Sequence, residues 1–374
     1  MQRIAIAPRP DWISKVEQMG LLWHSADGFP YWNENAYYQV SPDEVRAIRK
    51  ATEECYQLLL AAGQRVIDRK LYDRFGIPSW VVPMIEAAWE AEPPALNYGR
   101  FDFGYDGRNL KLLEFNCDTP TSLLEAAVIQ WHWLQDVFPR GQQFNDIHDM
   151  LVDKWRDILP VLPASPVYFM SAGADALGED MITSTFLRET AQEAGLPTDS
   201  IMAPDVGWDE RRERFVDLRD RDIDTLYKLY PWEWLVREPF GRNIPRAPTL
   251  WIEPVWKMLW SNKAILTVLW EMFPNHPNLL QAALAPLDRP AVAKPMLGRE
   301  GRGVFFTDSG APAESDPDLG PLVYQERMNI QQHDGLTTII GSWIVDGAAA
   351  GIGMREGGPI TDNNSSFVPH AIAK

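Results

Sequence analysis

The stretch KLLEFNCDTPTSLLEA, residues 111–126, contains the residues that decide the fold of this chain. Its first half is an apolar segment typical of a β-strand, but it includes Glu114 and, two residues later, Asn116. Alternate residues of a strand point to the same face, so these two polar side chains share a face. Because Asn is depleted in strands, the pair predicts that this face lines a binding site.

The strand of Glu114 is the second half of a predicted β-hairpin that spans residues 99–116. GRFDFGY alternates aromatic and polar residues, DGRN is typical of a turn, and LKLLEFN is the returning strand. Burial requires the aromatic face of the first strand to match the face of Leu113 and Phe115. That register places Asp102 directly across from Glu114.

Two carboxylates that face each other across a hairpin indicate a cation site. Cross-strand Cβ atoms lie about 5 Å apart, so Asp102 and Glu114 repel each other unless a cation lies between them. Together with Asn116 they offer only oxygen ligands, which suit Mg²⁺ with further ligands from water and substrate phosphates. The alternative interpretation is an exposed hairpin whose polar face is solvated.

A second segment, AVAKPMLGREGRGVFF at residues 291–306, predicts a phosphate-binding loop. One strand carries Lys294, a loop with Gly298, Gly301 and Gly303 follows, and a second strand closes the hairpin. Glycines permit close approach of backbone N–H groups to phosphate. The segment lacks the Gly-Lys-Ser/Thr of a P-loop and the glycine spacing of a dinucleotide fold. A glycine-rich hairpin without a ligand is the alternative.

Three further segments contribute candidate nucleotide residues. Lys263 begins a predicted helix in WSNKAIL, although a surface lysine is the simpler interpretation of that residue alone. In VYQERM the backbone is a candidate for an adenine edge, with Gln325 and Glu326 near the ribose, or the segment is an ordinary strand end. Arg355 lies in the glycine-rich GIGMREGG, where its guanidinium can clamp a phosphate.

The composition limits the class of protein. With 374 residues and 45% hydrophobic content, the chain can bury a large core, and its formal charge of −17 disfavours nucleic acid and anionic membranes as partners. Two cysteines give no disulfide framework, and neither a membrane-spanning apolar run nor a signal-peptide core is visible. We therefore predict a cytoplasmic enzyme with small-molecule partners, and leave its oligomeric state open.

Taken together, these segments resemble the synthetase domain of glutathionylspermidine synthase, and more closely the stand-alone acid–amine ligases of that family. The resemblance covers nearly the whole chain. It is carried by Arg100-Phe-Asp102-Phe, Leu113-Glu114-Phe-Asn116-Cys-Asp118, Gly178-Glu179-Asp180, Asn262-Lys263-Ala, the segment Phe273–Leu280, and Ala293-Lys294-Pro with its glycine loop.

The resemblance implies an α/β (α+β) fold, a circularly permuted ATP-grasp fold with a preATP-grasp-like subdomain. The permutation follows from the order of motifs, because the metal hairpin here precedes Lys263 and Lys294, as in eukaryotic-type glutathione synthetase. We expect one ATP-grasp domain over residues 1–374 without an amidase domain. Its expected parts are a metal-hairpin and preATP-grasp-like part at 95–250 and an ATP-binding part at 255–370.

The same resemblance implies an ATP-dependent ligase that joins a peptide-like acid to an amine, such as a polyamine, through an acyl phosphate, with ATP and Mg²⁺. It implies that Mg²⁺ is bound by Asp102, Glu114 and Asn116, and that the ATP phosphates are held by Lys263 and Lys294. The carboxylate and the acyl phosphate would be stabilised by Arg100 and Arg355. The acid would be contacted by Thr119 and Thr121, and the amine by Glu179 and Asp180.

Two departures from the family pattern leave the substrates open. Asp180 replaces a longer acid, and Leu229 stands where a hydroxyl residue is expected, so glutathione and spermidine are not carried over. The pair Glu179 and Asp180 also fits a helix start, where the helix dipole favours acids. The alternative functions are a nucleotide-binding protein without turnover and a metal-dependent hydrolase.

Four predictions concern local structure. Ser41, Pro42 and Glu44 form a capping-box pattern that begins a helix reaching Asp68. We also expect a helix over residues 122–138, helix over 261–285 with an interruption at FPNHPN, and a surface loop at 309–321.

Overall fold

The computed structural model describes residues 1–26, 29–173, 178–309, 317–362 and 365–373. The α-helices are α1 Trp12–Gln18, α2 Pro42–Asp68, α3 Val82–Ala91, α4 Gln130–Val137, α5 Ile147–Ile158, α6 Glu179–Glu193, α7 Trp232–Leu235, α8 Lys257–Ser261 and α9 Ile265–Met272. The strands are β1 Gln2–Ala5, β2 Ser25–Ala26, β3 Phe29–Pro30, β4 Ala36–Val40, β5 Gly99–Tyr105, β6 Leu110–Asn116, β7 Val167–Ser171, β8 Thr198–Met202, β9 Gly207–Asp209, β10 Arg214–Val216, β11 Thr225–Leu229, β12 Leu250–Ile252, β13 Ala282–Ala283, β14 Ala291–Pro295, β15 Phe305–Phe306, β16 Leu322–Glu326, β17 Gln332–His333, β18 Leu336–Val345, β19 Ala348–Gly357, β20 Ser366–Val368 and β21 His370–Ile372.

The largest sheet contains the predicted hairpin. Its strand order is β20-β19-β18-β5-β6, and β17 pairs with β18. The hairpin strands β5 and β6 are antiparallel, and Asp102 pairs with Glu114 as predicted. The solvated alternative is wrong, because Asp102 is only 9% exposed and β5 is an interior strand of the sheet.

The hairpin contains a β-bulge that the alternation pattern did not predict. Phe103 pairs with Leu112, whereas Asp102 pairs with Glu114, so Leu113 is an extra residue on β6. A bulge of this kind reverses which face the preceding residues occupy. The predicted face of Leu113 is therefore wrong: Leu112 is the buried residue, at 1% exposure, while Leu113 lines a cavity.

Two four-stranded sheets are formed by strands that lie between β6 and β17 in the sequence. The order β12-β11-β7-β8 is parallel, and all residues of β7 and β11 are buried, as expected for a sheet covered on both faces. The order β13-β16-β14-β15 is antiparallel and contains Lys294 on β14. We call this second one the lysine sheet.

Helix α2 begins and ends as predicted. The Ser41 hydroxyl accepts a hydrogen bond from the Glu44 N–H at 3.2 Å, and the Glu44 carboxylate accepts one from the Ser41 N–H at 2.9 Å. Pro42 occupies the first turn, where its missing N–H costs nothing. The helix ends at Asp68, which confirms the predicted boundary.

Helix is present from residue 123 to residue 137, which confirms the helix predicted over 122–138, and its turn Glu125–Ile129 is π-helical. Another helix prediction needs correction. The helix predicted over 261–285 ends with α9, and its last part is the short strand β13, where Ala282 pairs with Gln325. Pairing with the lysine sheet overrides the local helical pattern there. Of the predicted surface loop at 309–321, residues 310–316 lie outside the described residues.

The architecture is thus mixed α/β, with parallel and antiparallel sheets in one chain. The hairpin sheet joins residues 99–116 to residues 336–357, so it links the two predicted parts of the chain. The division into those parts and the circular permutation stay predictions. In the part of the chain that the structure describes, no helix is long and apolar enough to cross a membrane.

Candidate active site

A cavity of about 720 Å³ is lined by residues of both the hairpin sheet and the lysine sheet. This volume lies within the range of small-molecule binding sites. Its lining includes nearly all of the site residues predicted from the sequence: Arg100, Asp102, Glu114, Asn116, Thr119, Thr121, Asp180, Lys263, Lys294, Gly298, Gly301, Gln325, Glu326 and Arg355.

The predicted metal ligands form a compact hydrogen-bonded group on the floor of this cavity. The Asn116 amide nitrogen donates to Asp102 Oδ2 and to Glu114 Oε1, each at 3.1 Å. Arg100 Nε donates to Asp102 Oδ1 at 2.6 Å, and Lys263 Nζ lies 3.1 Å from Glu114 Oε2. Both carboxylates are therefore neutralised by cations of the chain itself.

The surroundings shift the pKa values of these two carboxyls in opposite directions. Burial raises the pKa of Asp102, although Arg100 opposes that effect. Burial acts on Glu114 in the same way, but the charges of Lys263 and Lys294 outweigh it and hold the pKa of Glu114 well below its usual range. Glu114 is therefore an anion at any physiological pH.

This donor set fits a divalent cation with oxygen ligands. Asp102 and Glu114 are cross-strand neighbours, and the amide of Asn116 lies between them. A rotation of the amide by 180° would present its oxygen to the same point, which is favourable only when a cation is bound. Among the described residues, no group of three or more His, Cys, Asp or Glu side chains could hold a metal. The set proposed here contains only two such side chains, because its third member is an Asn, so it is consistent with that finding.

Lys263 lines the cavity, and its interpretation as a surface lysine is wrong. It is 8% exposed, and its Nζ donates to the Gly298 carbonyl at 2.7 Å as well as pairing with Glu114. It reaches this position from the segment between α8 and α9, where its backbone N–H donates to the Met296 carbonyl. The lysine thus links the carboxylate floor to the glycine loop.

Lys294 projects from β14 towards the bulged strand β6. Its Nζ donates to the Leu113 carbonyl at 3.0 Å and to Gln325 Oε1 at 2.8 Å. Burial lowers the pKa of Lys294 to about 8, against the opposing charge of Glu114. Among the residues that the structure describes, its hydrogen-bond acceptors are neutral, so the buried ammonium group is suited to an incoming phosphate.

Gln325 differs in position from the sequence expectation. It is 2% exposed, accepts from Lys294 and donates from Nε2 to the Leu112 carbonyl at 2.9 Å. Its side chain therefore holds the lysine rather than presenting a free amide to a ribose. Glu326, on the other side of the strand, pairs with Arg289 at 3.1 Å.

The glycine loop connects β14 to β15 as predicted, with Val292 opposite Phe306. Gly301 and Gly303 both have φ of +71°, which favours glycine. At Gly301 a Cβ atom would lie 2.6 Å from the Thr361 carbonyl, so a larger residue would clash with the backbone. Gly303 does not line the cavity, and its contribution is to allow the backbone turn at positive φ.

The two predicted catalytic arginines lie on β5 and β19, which are both paired with β18 in the hairpin sheet. Arg100 is 8% exposed and also donates to the Thr121 carbonyl, which joins the carboxylate floor to the rim. Arg355 donates to the Asp362 carbonyl at 2.8 Å, while its buried Nε has no partner in the described part of the chain. An unsatisfied guanidinium N–H in a polar cavity is a binding group for an anion.

The rim of the cavity contains two residues that the sequence interpretation missed. Arg299, in the glycine loop, donates to the Thr119 hydroxyl at 2.9 Å and pairs with Glu233 at 2.7 Å. Trp234 lies beneath the Arg299 guanidinium at 5.4 Å. In the sequence, Arg299 is visible only as the cation in GREG, and Trp234 only as part of WEW, where an acid lies between two tryptophans. Such short patterns are too common to identify a binding site.

The first turn of α6 brings acids to this region. Asp180 lines the cavity, whereas Glu179 lies behind it near Glu125. Burial, with the charges of Glu125 and Asp180, raises the pKa of Glu179 to about 8. Glu125 itself accepts from the Tyr31 hydroxyl at 2.7 Å. A helix-start acid pair alone would be solvated, so the desolvated Glu179 favours a binding role.

Comparison with known proteins identifies relatives over the whole chain. The family model described as glutathionylspermidine synthase preATP-grasp matches residues 3–373. A Haemophilus influenzae protein named "Putative acid--amine ligase" is 39% identical over 391 residues, which cover 99% of each chain.

More distant relatives are larger proteins. The bifunctional glutathionylspermidine synthetase/amidase of Escherichia coli is 25% identical over 360 residues, which cover 85% of this chain and 56% of that enzyme. Among solved structures, a glutathione synthetase-like effector from Globodera pallida superposes with a TM-score of 0.58 at 11% identity, over 98% of this chain and 100% of the effector. That likeness concerns the fold alone.

Proposed function

The chain belongs to the glutathionylspermidine synthase preATP-grasp family, and we propose that it is an ATP-dependent ligase that joins a peptide-like acid to an amine through an acyl phosphate. The observation that carries the proposal is the pair Asp102 and Glu114, with Asn116 between them, facing Lys263 and Lys294 in one cavity. Carboxylates for a metal and buried lysines for phosphates are the minimum set for this chemistry.

In the proposed reaction, the acid attacks the γ-phosphorus of ATP, ADP leaves, and an acyl phosphate forms. The amine then attacks the acyl carbon, and phosphate leaves as the amide bond forms. Mg²⁺ held by Asp102, Glu114 and Asn116 would neutralise charge on the phosphate oxygens. The chain's contribution is mainly to position the reactants and to stabilise the developing charge.

The lysines and arginines divide this work. Lys294 and Lys263 point into the cavity from the lysine sheet and from the loop before α9, where they can contact phosphate oxygens from two sides. Arg355 has an unsatisfied buried Nε that can bind the acyl phosphate, and Arg100 links the metal carboxylate to the rim. Val292, Phe306 and Ile330 line the same cavity and provide an apolar surface for the base.

The rim and the first turn of α6 receive the two other reactants. Thr119 and Thr121 line the cavity beside Arg100, so the acid would approach there. The amine arrives as an ammonium ion and must lose a proton before it attacks. Glu179 lies behind Asp180 and has a pKa of about 8, so its ionised fraction near that pH is a stronger base than an ordinary carboxylate and is the candidate to accept the proton. Asp180 lines the cavity and would bind the cation.

The experiment that tests the proposal supplies ATP, Mg²⁺, a mixture of small peptides and a mixture of polyamines, and identifies products by mass spectrometry. We expect an amide whose mass equals the sum of acid and amine minus water, with ADP and phosphate released in equal amounts. AMP and pyrophosphate would contradict the acyl-phosphate route. ADP formation without any amide product would favour a hydrolase.

The absence of turnover with any pair would leave the other alternative, a nucleotide-binding protein. In that case ATP with Mg²⁺ should still raise the unfolding temperature more than Mg²⁺ alone. The ion pairs of the cavity argue against this alternative, because a site without catalysis does not require two lysines and two arginines around paired carboxylates.

A further inference from the structure

A second cavity, of about 550 Å³, lies between α6, the edge strand β8 and the turn that follows β10. Its lining includes Ser184, Thr185 and Arg188 of α6, together with Asp199 of β8 and Asp205. None of its lining residues lines the candidate active site. Its volume is within the range of sites for small molecules.

One face of α6 forms a wall of this second cavity. Met181, Ser184, Thr185 and Arg188 follow the spacing i, i+3, i+4, i+7, which places them on one side of a helix. The residues on the other side, such as Leu187, are buried against α5 and β7. The wall is therefore fixed in position by packing behind it.

Most of the charged groups in the second cavity already have partners. Arg221 pairs with Asp199 at 2.7 Å and donates from Nε to Asp217 at 2.6 Å. The Tyr168 hydroxyl donates to the same Asp217 at 3.0 Å. This network is satisfied internally and needs no ligand.

Arg188 and Asp205 differ from that network. The Arg188 Nε is buried and has no hydrogen-bond partner, and its guanidinium forms no ion pair with any described residue. The carboxylate of Asp205 likewise has no ion pair or hydrogen bond within the described ranges. One cation and one anion that have no partner in the described part of the chain thus line the same cavity, and Arg219 at its rim adds an exposed cation.

We propose that the second cavity binds a small amino acid, with its carboxylate on Arg188 and its ammonium group near Asp205. A guanidinium binds a carboxylate through two parallel N–H bonds, and an isolated buried guanidinium N–H is costly without such a partner. A phosphate could occupy the same guanidinium, but the carboxylate of Asp205, which has no cation partner among the described residues, would repel it and would attract an ammonium group instead.

The position of this site connects it to the reaction centre through one helix. Arg188 lies eight residues, or roughly 12 Å along the axis, from Asp180 at the start of α6. A ligand that contacts both Arg188 on α6 and Asp205 after β8 would add a link between this helix and the strand, and the helix carries Glu179 and Asp180 in its first turn. The second cavity is thus a site for an effector, and its existence does not depend on the identity of the ligase substrates.

Titration calorimetry with L-glutamate on the full chain, without ATP, tests the proposal. Glutamate should bind saturably, and Arg188→Gln should weaken binding at least tenfold, whereas the matched control Arg140→Gln, at an exposed arginine, should not change it. Unchanged binding by Arg188→Gln, or no binding by the wild-type protein, would overturn the proposal. Arg188→Lys, which keeps the charge but loses the paired N–H groups, should give an intermediate affinity if the Gln variant folds poorly.

Glutarate and inorganic phosphate identify the ligand class. Glutarate lacks the ammonium group, so the wild-type protein should prefer glutamate to glutarate, and Asp205→Asn should abolish that preference. Phosphate that binds more tightly than glutamate in an Arg188-dependent manner would contradict the proposed class. Bound glutamate should also slow amide hydrogen exchange along α6, and unchanged exchange in α6 would place the ligand elsewhere.

Discussion

Asp102 and Glu114 lie opposite each other on adjacent antiparallel strands, and each carboxylate is neutralised by a different cation of the chain. Arg100 pairs with Asp102, and Lys263 pairs with Glu114. In the proposed reaction, the same two cations would contact the ATP phosphates and the acid substrate. Substrate binding must therefore exchange ion pairs within the chain for ion pairs with ligands.

Glu114→Gln should abolish ligase activity and leave the fold intact. The substitution keeps the shape and one oxygen but removes a charge needed for Mg²⁺, so we expect a loss of about 10²-fold or more in kcat. It also leaves Lys263 and Lys294 without their nearest anion, which should lower the free energy of unfolding by about 1–3 kcal/mol. The measurements are steady-state kinetics and urea unfolding.

The matched control for that variant is Glu90→Gln, at an exposed position on α3. It should leave both kcat and stability unchanged. Normal activity of Glu114→Gln would remove the hairpin from the proposed metal site.

Gln325→Leu should reduce activity because it removes a hydrogen-bond acceptor of Lys294. The lysine would then retain only the Leu113 carbonyl, and we expect roughly a tenfold rise in the KM for ATP. Comparison of ATP with 2′-deoxy-ATP separates this from a ribose contact. If Gln325 positions the lysine, the variant should lose the same factor with both nucleotides; a loss seen with ATP alone would indicate the ribose.

Thr119→Val should raise the KM for the acid and leave the KM for ATP unchanged. The hydroxyl accepts from Arg299 and lines the cavity at the rim, so its removal affects the proposed acid site without altering the lysines. We expect an increase of about 3- to 10-fold, typical of one lost hydrogen bond. Thr307→Val, in the turn after β15 and outside the cavity lining, is the control for loss of a threonine hydroxyl, and an equal effect there would contradict the prediction.

Glu179 should make stability decrease as pH rises. Its pKa is near 4.5 when unfolded and about 8 in the folded chain, so between these values the folded state binds more protons than the unfolded state. The contribution is fully present below pH 4.5 and is lost as pH rises through 8. Glu179→Gln stays neutral, so its unfolding free energy should lack this fall, which we expect to be on the order of 2–4 kcal/mol.

Chemical unfolding of both proteins between pH 5 and 9 measures that difference. Glu189→Gln, at an exposed position on the same helix, should follow the wild-type curve. Parallel curves for wild type and Glu179→Gln would show that the folded chain leaves Glu179 with an ordinary pKa.

The hairpin could be predicted because the sequence patterns that specify it lie within one short segment. Alternation, a turn sequence and matched apolar faces were sufficient to place Asp102 opposite Glu114. The capping box at Ser41 is local in the same way. The bulge at Leu113 could not be predicted, because it depends on partners from a distant part of the chain, among them Lys294.

The contacts of the site were harder to predict than its members. The residue types at positions 263 and 294 indicated nucleotide binding, but only the folded chain brings Gln325 beneath Lys294 and Arg299 against Thr119. Both contacts join segments that are separated in the sequence by at least 31 residues. No local pattern specifies such pairs, since tertiary packing determines them.

The bulge in β6 allows the hairpin sheet and the lysine sheet to be joined by two adjacent hydrogen bonds. In a regular strand successive carbonyls point in opposite directions, but here the Leu112 and Leu113 carbonyls both accept bonds from the lysine sheet, through Gln325 and Lys294. These bonds connect β6, the edge strand of the hairpin sheet, to the lysine sheet. The ammonium group of Lys294 has three N–H donors and uses two of them within the chain, so an ATP phosphate can take the third while the bonds between the sheets persist, and a bound nucleotide would strengthen the link between the two sheets.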